Sequence, residues 1–399
     1  MIFKKIILMI ILIISAYLFS SIFLINKDIE TINSEKKIDQ IVTIATQKKS
    51  QDYQYLIQYL DDDDVGVKTT AAQWMYQLND PVFYPTIIDK YSKILTRLKY
   101  VKNNPLADYD YAIKRGVSVM GLNAVPYLIS LLNDNKLKPR SRAKIAWHLG
   151  HLITKEGLVA ESRSPLLIGT LLNLLRDPAW MVRLRAAGSL GRAGLDDGYE
   201  IAVDALTHSG TTSYDRVIAS WALAFIGKEE GIKLAIPSAI KELENPPSLS
   251  TYAEGIHALS NLCSKAELET KKIIVKKFVS FLKDEETAGI RRVLVRALGT
   301  CKDISVFDYL VFVMKYDPSG NVRFQAAQAF WRWEYQPAAP YLIDALNDPY
   351  VETRKWSLNA LRKLDLSESM KVQVSEMMEK EPDLALKKKY KTLLKNEQK

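Results

Sequence analysis

The feature that most constrains the fold is a short phrase that returns along the chain. In its clearest copy, Asp177 to Gly191, it reads Asp-Pro-Ala-Trp-Met-Val-Arg-Leu-Arg-Ala-Ala-Gly-Ser-Leu-Gly. Asp177 suits the cap of a helix N-terminus and Pro178 its first position. Val182, Ala186, Ser189 and Leu190 then fall on one apolar stripe, and Gly191 is an easy helix stop. A second helix precedes this one, opened by Ser164-Pro165 and running to Leu175. One such pair cannot bury both stripes. Stacked copies can, which predicts an all-α solenoid.

Other copies are plain to see. Ala124-Val125-Pro126-Tyr127-Leu128-Ile129 runs on to Leu132-Asn133-Asp134, and Ala338-Ala339-Pro340-Tyr341-Leu342-Ile343 runs on to Leu346-Asn347-Asp348. Aligned on Arg183, the copies place Lys68, Ile113, Arg142, Arg216, Tyr252, Arg291, Arg323, Arg354 and Lys387 in one slot. Most steps are about thirty to forty residues, the period of helical repeats. A final copy from Glu381-Pro382 to Leu394 makes the C-terminus part of the stack.

The pattern resembles HEAT-like repeats, particularly the short type of phycobilisome-lyase relatives. The resemblance rests on Asp177-Pro178, Val182-Arg183, Ala186-Ala187 and Leu190-Gly191. Asp317-Pro318 with Val322-Arg323 and Ala326-Ala327, and Asp348-Pro349 with Arg354, are the next best copies. It covers residues 36 to 399 and implies a right-handed α-solenoid of about ten helix pairs. Its motif residues build the stack, so it speaks for fold more than for function.

Length alone would suggest two or three domains; a solenoid grows without a new core, and one solenoid over 38–399 is expected. Ahead of it, residues 6–25 carry no charge, with Ser15, Tyr17, Ser20 and Ser21 as the polar interruptions. Twenty helical residues span about 30 Å, the hydrocarbon thickness of a bilayer. Residues 1–5 form a short basic N-terminus, 6–25 a transmembrane signal anchor and 26–37 a polar tether. Ser15-Ala16-Tyr17 is a poor cleavage site, so the segment is read as uncleaved. Lysines on both sides nearly balance the positive-inside rule. The short N-terminal tail favours a single-pass protein of the inner or cytoplasmic membrane with its repeats on the periplasmic or extracellular side. The Ile, Lys, Asn and Tyr content suits an AT-rich bacterial genome.

The formal charge is +9, spread over the repeats with a local maximum at Lys387-Lys388-Lys389. That run is read as the solvated face of a capping helix. Two cysteines without a CxxC argue against a disulfide framework or a zinc site. Cys263 and Cys301 sit near the same turn of consecutive repeats. Helices pack about 8–10 Å apart and a bridge wants Cα atoms within roughly 7 Å, so free thiols are expected. Asp61 to Asp64 lack the spacing and closing glutamate of a calcium loop and read as helix-capping acids. His148 and His151 share a helix face with no acid beside them; His148 falls in a core slot and is expected buried and satisfied. No phosphate loop, nucleophile elbow or zinc spacing is present. No catalytic residue, metal or cofactor is therefore assigned.

Two groups of residues stand out. Half-buried arginines in the repeat slot need partners. The aspartate six residues earlier, or its copy in the next repeat, would supply them, giving a ladder of Asp177, Arg183, Asp317, Arg323, Asp348 and Arg354. Five residues after that slot most repeats are polar or small (Gln73, Ser118, Gly188, His257, Arg296, Gln328, Asn359, Thr392), but two carry Trp147 and Trp221. That position is expected to be exposed, and exposed tryptophans mark interfaces. Trp147→Ala and Trp221→Ala should then weaken binding and spare the fold. The longest step between copies carries extra residues around Lys99 to Tyr111, read as a loop whose Tyr100, Tyr109 and Tyr111 are further contact candidates. Together these features point to a membrane-anchored scaffold that binds a protein partner. An enzyme or lyase-like subunit with its site in the concave groove is one alternative. A nucleic-acid binder is another, disfavoured unless the repeats are cytoplasmic.

Overall fold

The computed structural model describes residues 31–47, 49–95, 106–133, 137–155 and 165–395. The anchor segment 6–25 and Tyr100 lie outside them. Among the described residues the regular structure is entirely helical, and no single helix is long and apolar enough to cross a membrane. The chain divides into two compact units, Met1–Glu161 and Ser162–Lys399.

In the first unit, α1 covers residues 31–46, so residues expected as tether are already helical. A 3₁₀ segment Ser50–Asp61 leads to α2 (Val65–Leu78), α3 (Tyr84–Leu95), α4 (Ala107–Val119), α5 (Val125–Leu132) and α6 (Pro139–Lys155). Helix α4 packs on α2 and α3, and α6 on α5. The acidic run ends at a real cap: the Asp64 carboxylate accepts the Val67 N–H at 2.9 Å and starts α2. Tyr109 and Tyr111, expected in a loop, stand on α4.

The second unit pairs α7 (Pro165–Leu174) with α8 (Trp180–Arg192), α9 (Tyr199–Thr207) with α10 (Ser213–Ile226), and α11 (Glu229–Glu244) with α12 (Leu249–Lys265). It continues with α13 (Leu268–Asp284), α14 (Ala288–Cys301), α15 (Phe307–Tyr316), α16 (Gly320–Trp333), α17 (Ala339–Asp344), α18 (Val351–Leu361), α19 (Glu368–Lys380) and α20 (Leu384–Lys395). The second helices stack in register, α8 on α10, α10 on α12, and so on through α14, α16 and α18 to α20. The stripe Val182, Ala186, Ser189 and Leu190 is fully buried, as its period requires. Two punctuation marks shift. The Asp177 side chain accepts the Ala179 N–H at 2.9 Å and turns the chain ahead of α8, whose first residue is Trp180. Gly191 does not end α8, which runs on to Arg192. It is a contact point: a Cβ there would stand 2.7 Å from the Ile226 backbone nitrogen.

The cysteines are not free. Cys263 of α12 and Cys301 of α14 form a disulfide with Cα atoms 5.3 Å apart. The expectation of free thiols compared helix axes with a Cα limit. Each Cα stands roughly 2.3 Å off its axis, so facing Cα atoms on packed helices come within bridging range. The bond ties consecutive repeats across a sequence separation of 38. Cys263→Ser is expected to cost about 2–4 kcal/mol, read as a lower melting temperature that reductant lowers in the parent protein and leaves unchanged in the variant.

Candidate functional site

The slot arginines hold the second helices together through paired contacts. Arg291 donates Nε and Nη2 to the Asp317 carboxylate at 2.9 and 3.0 Å. Arg323 does the same to Asp348 at 2.6 and 2.8 Å, and Arg354 to Glu381 at 2.8 Å for both bonds. Of the two partners open to each arginine, its carboxylate thus comes from the next repeat. The aspartate six residues earlier contributes its backbone carbonyl, as Asp317 O does to Arg323 Nη1 at 2.8 Å. Each acid also fixes the turn ahead of its own helix, where Asp317 accepts the Ser319 N–H, Asp348 the Tyr350 N–H and Glu381 the Asp383 N–H. Bidentate, charge-assisted bonds of this kind fix geometry as well as energy. The hydrogen bond to the acid is the main influence holding each of these guanidinium pKa values above its ordinary level.

Other rungs vary. Arg216 meets Glu242 at 2.6 Å, and Lys37 meets Asp62 at 2.7 Å. The Lys37 rung lay in the expected tether and was hidden because its helix carries no Asp-Pro signal. Arg183 bonds the Asp177 carbonyl at 2.8 Å rather than its carboxylate and lies over the Trp180 ring, 4.0 Å from the centroid.

The tryptophan slot needs correction. Trp221 is 4% exposed; it is core. In this copy the position five after the arginine faces the second helix of the preceding repeat, whereas Gln73, Arg296 and Thr392 in the same slot are exposed as expected. There Gly188 leaves the space: a Cβ on Gly188 would fall 2.1 Å from Trp221 Cζ3. A glycine and a tryptophan in the same slot of consecutive copies were the signal for this knob and hole. Trp147 is half-buried and lies 3.8 Å from the His151 ring, centroid to centroid. Tyr109 is buried and Tyr111 exposed. Of these four candidates only Tyr111 is exposed. His148 is buried as expected, with Tyr91 Oη at 3.0 Å from Nδ1 and Ser118 Oγ at 3.4 Å from Nε2; burial pushes the Tyr91 hydroxyl pKa up.

Around Trp221 is a polar network that sequence periodicity did not reveal. Arg185 of α8 reaches past α10 to Glu254 of α12 at 2.9 Å. Its guanidinium lies 4.9 Å from the Trp221 ring centroid, and that of Arg192 lies 4.0 Å from Phe225. Burial works against the Arg185 charge, but Glu254 and Tyr214 hold its pKa above the ordinary value. Arg192 is half-buried, and its desolvation together with the nearby Arg185 charge brings its pKa down to about 10.

A different surface carries exposed aromatics. On α15, Phe312 and Tyr316 are 57% and 59% exposed. Tyr309 stacks on Phe312 at 6.5 Å and Phe312 meets Tyr316 at 5.2 Å. The spacing three and four residues apart puts the rings on one ridge.

Residues 167–194, which span α8 and most of α7, match the HEAT repeat family model. That segment is a HEAT-like repeat. The same stacking contacts recur in the pairs that follow that match. No curated protein matches the sequence. Among solved structures, an engineered protein aligns at 17% identity over 86% of this chain and 98% of its own, with a TM-score of 0.34. The complex of CpcE and CpcF of phycocyanin lyase from Nostoc sp. PCC7120 aligns at 18% identity over 64% of this chain and 94% of its own, with a TM-score of 0.38.

Proposed function

We propose that this HEAT-like protein is a non-enzymatic scaffold, anchored in a bacterial inner or cytoplasmic membrane by residues 6–25, that holds a protein partner at the cell envelope. One observation carries the reading. The residues that recur between copies, such as Val182, Ala186, Leu190, Arg323 and Asp348, are spent on stacking. Large apolar groups that do not recur, Phe312 and Tyr316, are presented to solvent. Aromatic residues in such positions are those enriched at interface hot spots. The Cys263–Cys301 bond supports placing the repeats outside the cytoplasm, because structural disulfides persist in oxidising compartments.

The test compares the full chain with Phe312→Ala/Tyr316→Ala after cross-linking in cells. Both side chains are exposed, so stability should change by no more than about 0.5 kcal/mol. The expected result is a cross-linked protein band captured by the parent and lost in the variant. A band that survives the double substitution would move the interface elsewhere. A reporter fused after Lys399 and active only outside the cytoplasm tests the placement in the same cells.

A further inference from the structure

The ladder breaks at Lys68 in the first unit, and the break lines a cleft. Rungs join residues separated by 25 to 27 positions: Lys37 to Asp62, Arg291 to Asp317, Arg323 to Asp348 and Arg354 to Glu381. Each of those acids stands six residues before the next slot residue. After Lys68 the next slot is Ile113, the step is lengthened by the insertion, and the position six before Ile113 is Ala107, not an acid. Lys68 and Lys93 instead line a cleft of about 110 Å³ together with Lys90, Asp61, Leu60 and Tyr109. Three lysines and one carboxylate thus share the lining.

The ion pair within the cleft is lopsided. Lys90 is 7% exposed and hydrogen-bonds Asp61, whose own side chain is 78% exposed. A buried ammonium needs a counter-charge, whereas an exposed carboxylate is readily rehydrated. An incoming anion can therefore displace Asp61 from Lys90 without stranding either charge. Lys93 also reaches Asp89 one turn back along α3, at 2.9 Å, a surface pair of the weak kind.

We propose that this cleft binds a phosphate group, which takes the place of the carboxylate that the ladder lacks at Lys68. The choice of phosphate follows from the donors. The intact arginine rungs present flat forks that match planar carboxylates, and they hold one each. Lysine ammoniums are compact point charges with three donors and no plane, so three of them suit a tetrahedral oxyanion. The volume admits the phosphate of a free ion or of a monoester end, with Leu60 and Tyr109 as its apolar wall. This inference does not depend on the scaffold reading, since α15 belongs to the other unit.

The experiment is equilibrium dialysis of the full chain in detergent micelles against radiolabelled inorganic phosphate, at fixed ionic strength in chloride. The expected result is saturable binding near one phosphate per chain. Lys68→Met should weaken it about tenfold, the effect of one lost charge-assisted contact. Asp61→Asn, which removes the internal competitor, should tighten it. These opposite signs separate a binding site from general damage, and thermal melting of each variant confirms that it is folded. Binding that is non-saturable, or equal in the parent and both variants, overturns the proposal. Displacement of the label by dioctanoyl phosphatidic acid assigns the phosphate to a lipid headgroup. Its retention assigns it to a soluble source. Either outcome supports the site.

Discussion

Trp221→Ala is expected to destabilise the second unit by about 3–5 kcal/mol, the range for truncating a large buried aromatic. The ring is 4% exposed and fills the space over Gly188. It also lies beneath Arg185 and Arg192, 4.9 and 5.3 Å from their guanidinium carbons. Losing it removes apolar contact and the cation–π support of both arginines together. Gly188→Ala alone should also be strongly destabilising, because its Cβ would sit 2.1 Å from the ring and α8 cannot shift without moving its packed neighbours. In the Trp221→Ala background the same change should reverse sign. The clash is gone, and alanine gains about 1 kcal/mol of helix propensity over glycine. Urea denaturation of the four proteins in the cycle reads the coupling. A Gly188→Ala cost that is the same in both backgrounds would show that the two residues do not interlock.

The Gly188–Trp221 pair also shows where the sequence is readable and where it is not. The apolar stripe follows from a local period of 3.6, so Val182, Ala186 and Leu190 could be placed without coordinates. The ladder was legible as a need for partners, because an arginine beside a buried stripe must be satisfied. Which carboxylate satisfied it depended on the rise from one repeat to the next, which no spacing within a single copy encodes. The tryptophan slot failed for the same reason. Projected on one helix it points away from the stripe, yet Trp221 meets the preceding second helix where Gly188 leaves room, while Gln73 and Arg296 in the same slot stay exposed. The disulfide was misread because axis spacing was taken for Cα spacing. Tyr109 and Tyr111 were placed in a loop because the insertion was located only as an excess of residues between copies. Its helical part runs from Ala107 on, two residues after Asn104-Pro105, a start signal that the loop reading passed over.

Glu254→Ala and Arg185→Ala are each expected to cost about 3–5 kcal/mol, because either one leaves a buried charge without its counter-ion. Arg185 and Glu254 are 5% and 9% exposed and meet at 2.9 Å across the stack, from α8 to α12. Their bond therefore spans two repeat interfaces, not one. Charge rather than shape is the issue. Arg185 Nη1 and Arg192 Nε have no hydrogen-bond partner among the described residues, and burial with the nearby Arg185 charge already lowers the Arg192 pKa to about 10. Glu254→Gln keeps the volume and a hydrogen-bond acceptor but leaves two neighbouring guanidiniums without that anion, so it should fall close to Glu254→Ala. Arg185→Met/Glu254→Leu removes both charges together and should regain most of the loss, as paired apolar replacements of buried ion pairs do. Denaturation midpoints of the parent, the three single variants and the double variant test this directly. If Glu254→Gln matches the parent, the carboxylate charge is not what holds Arg185, and the network is held by packing on Trp221 instead.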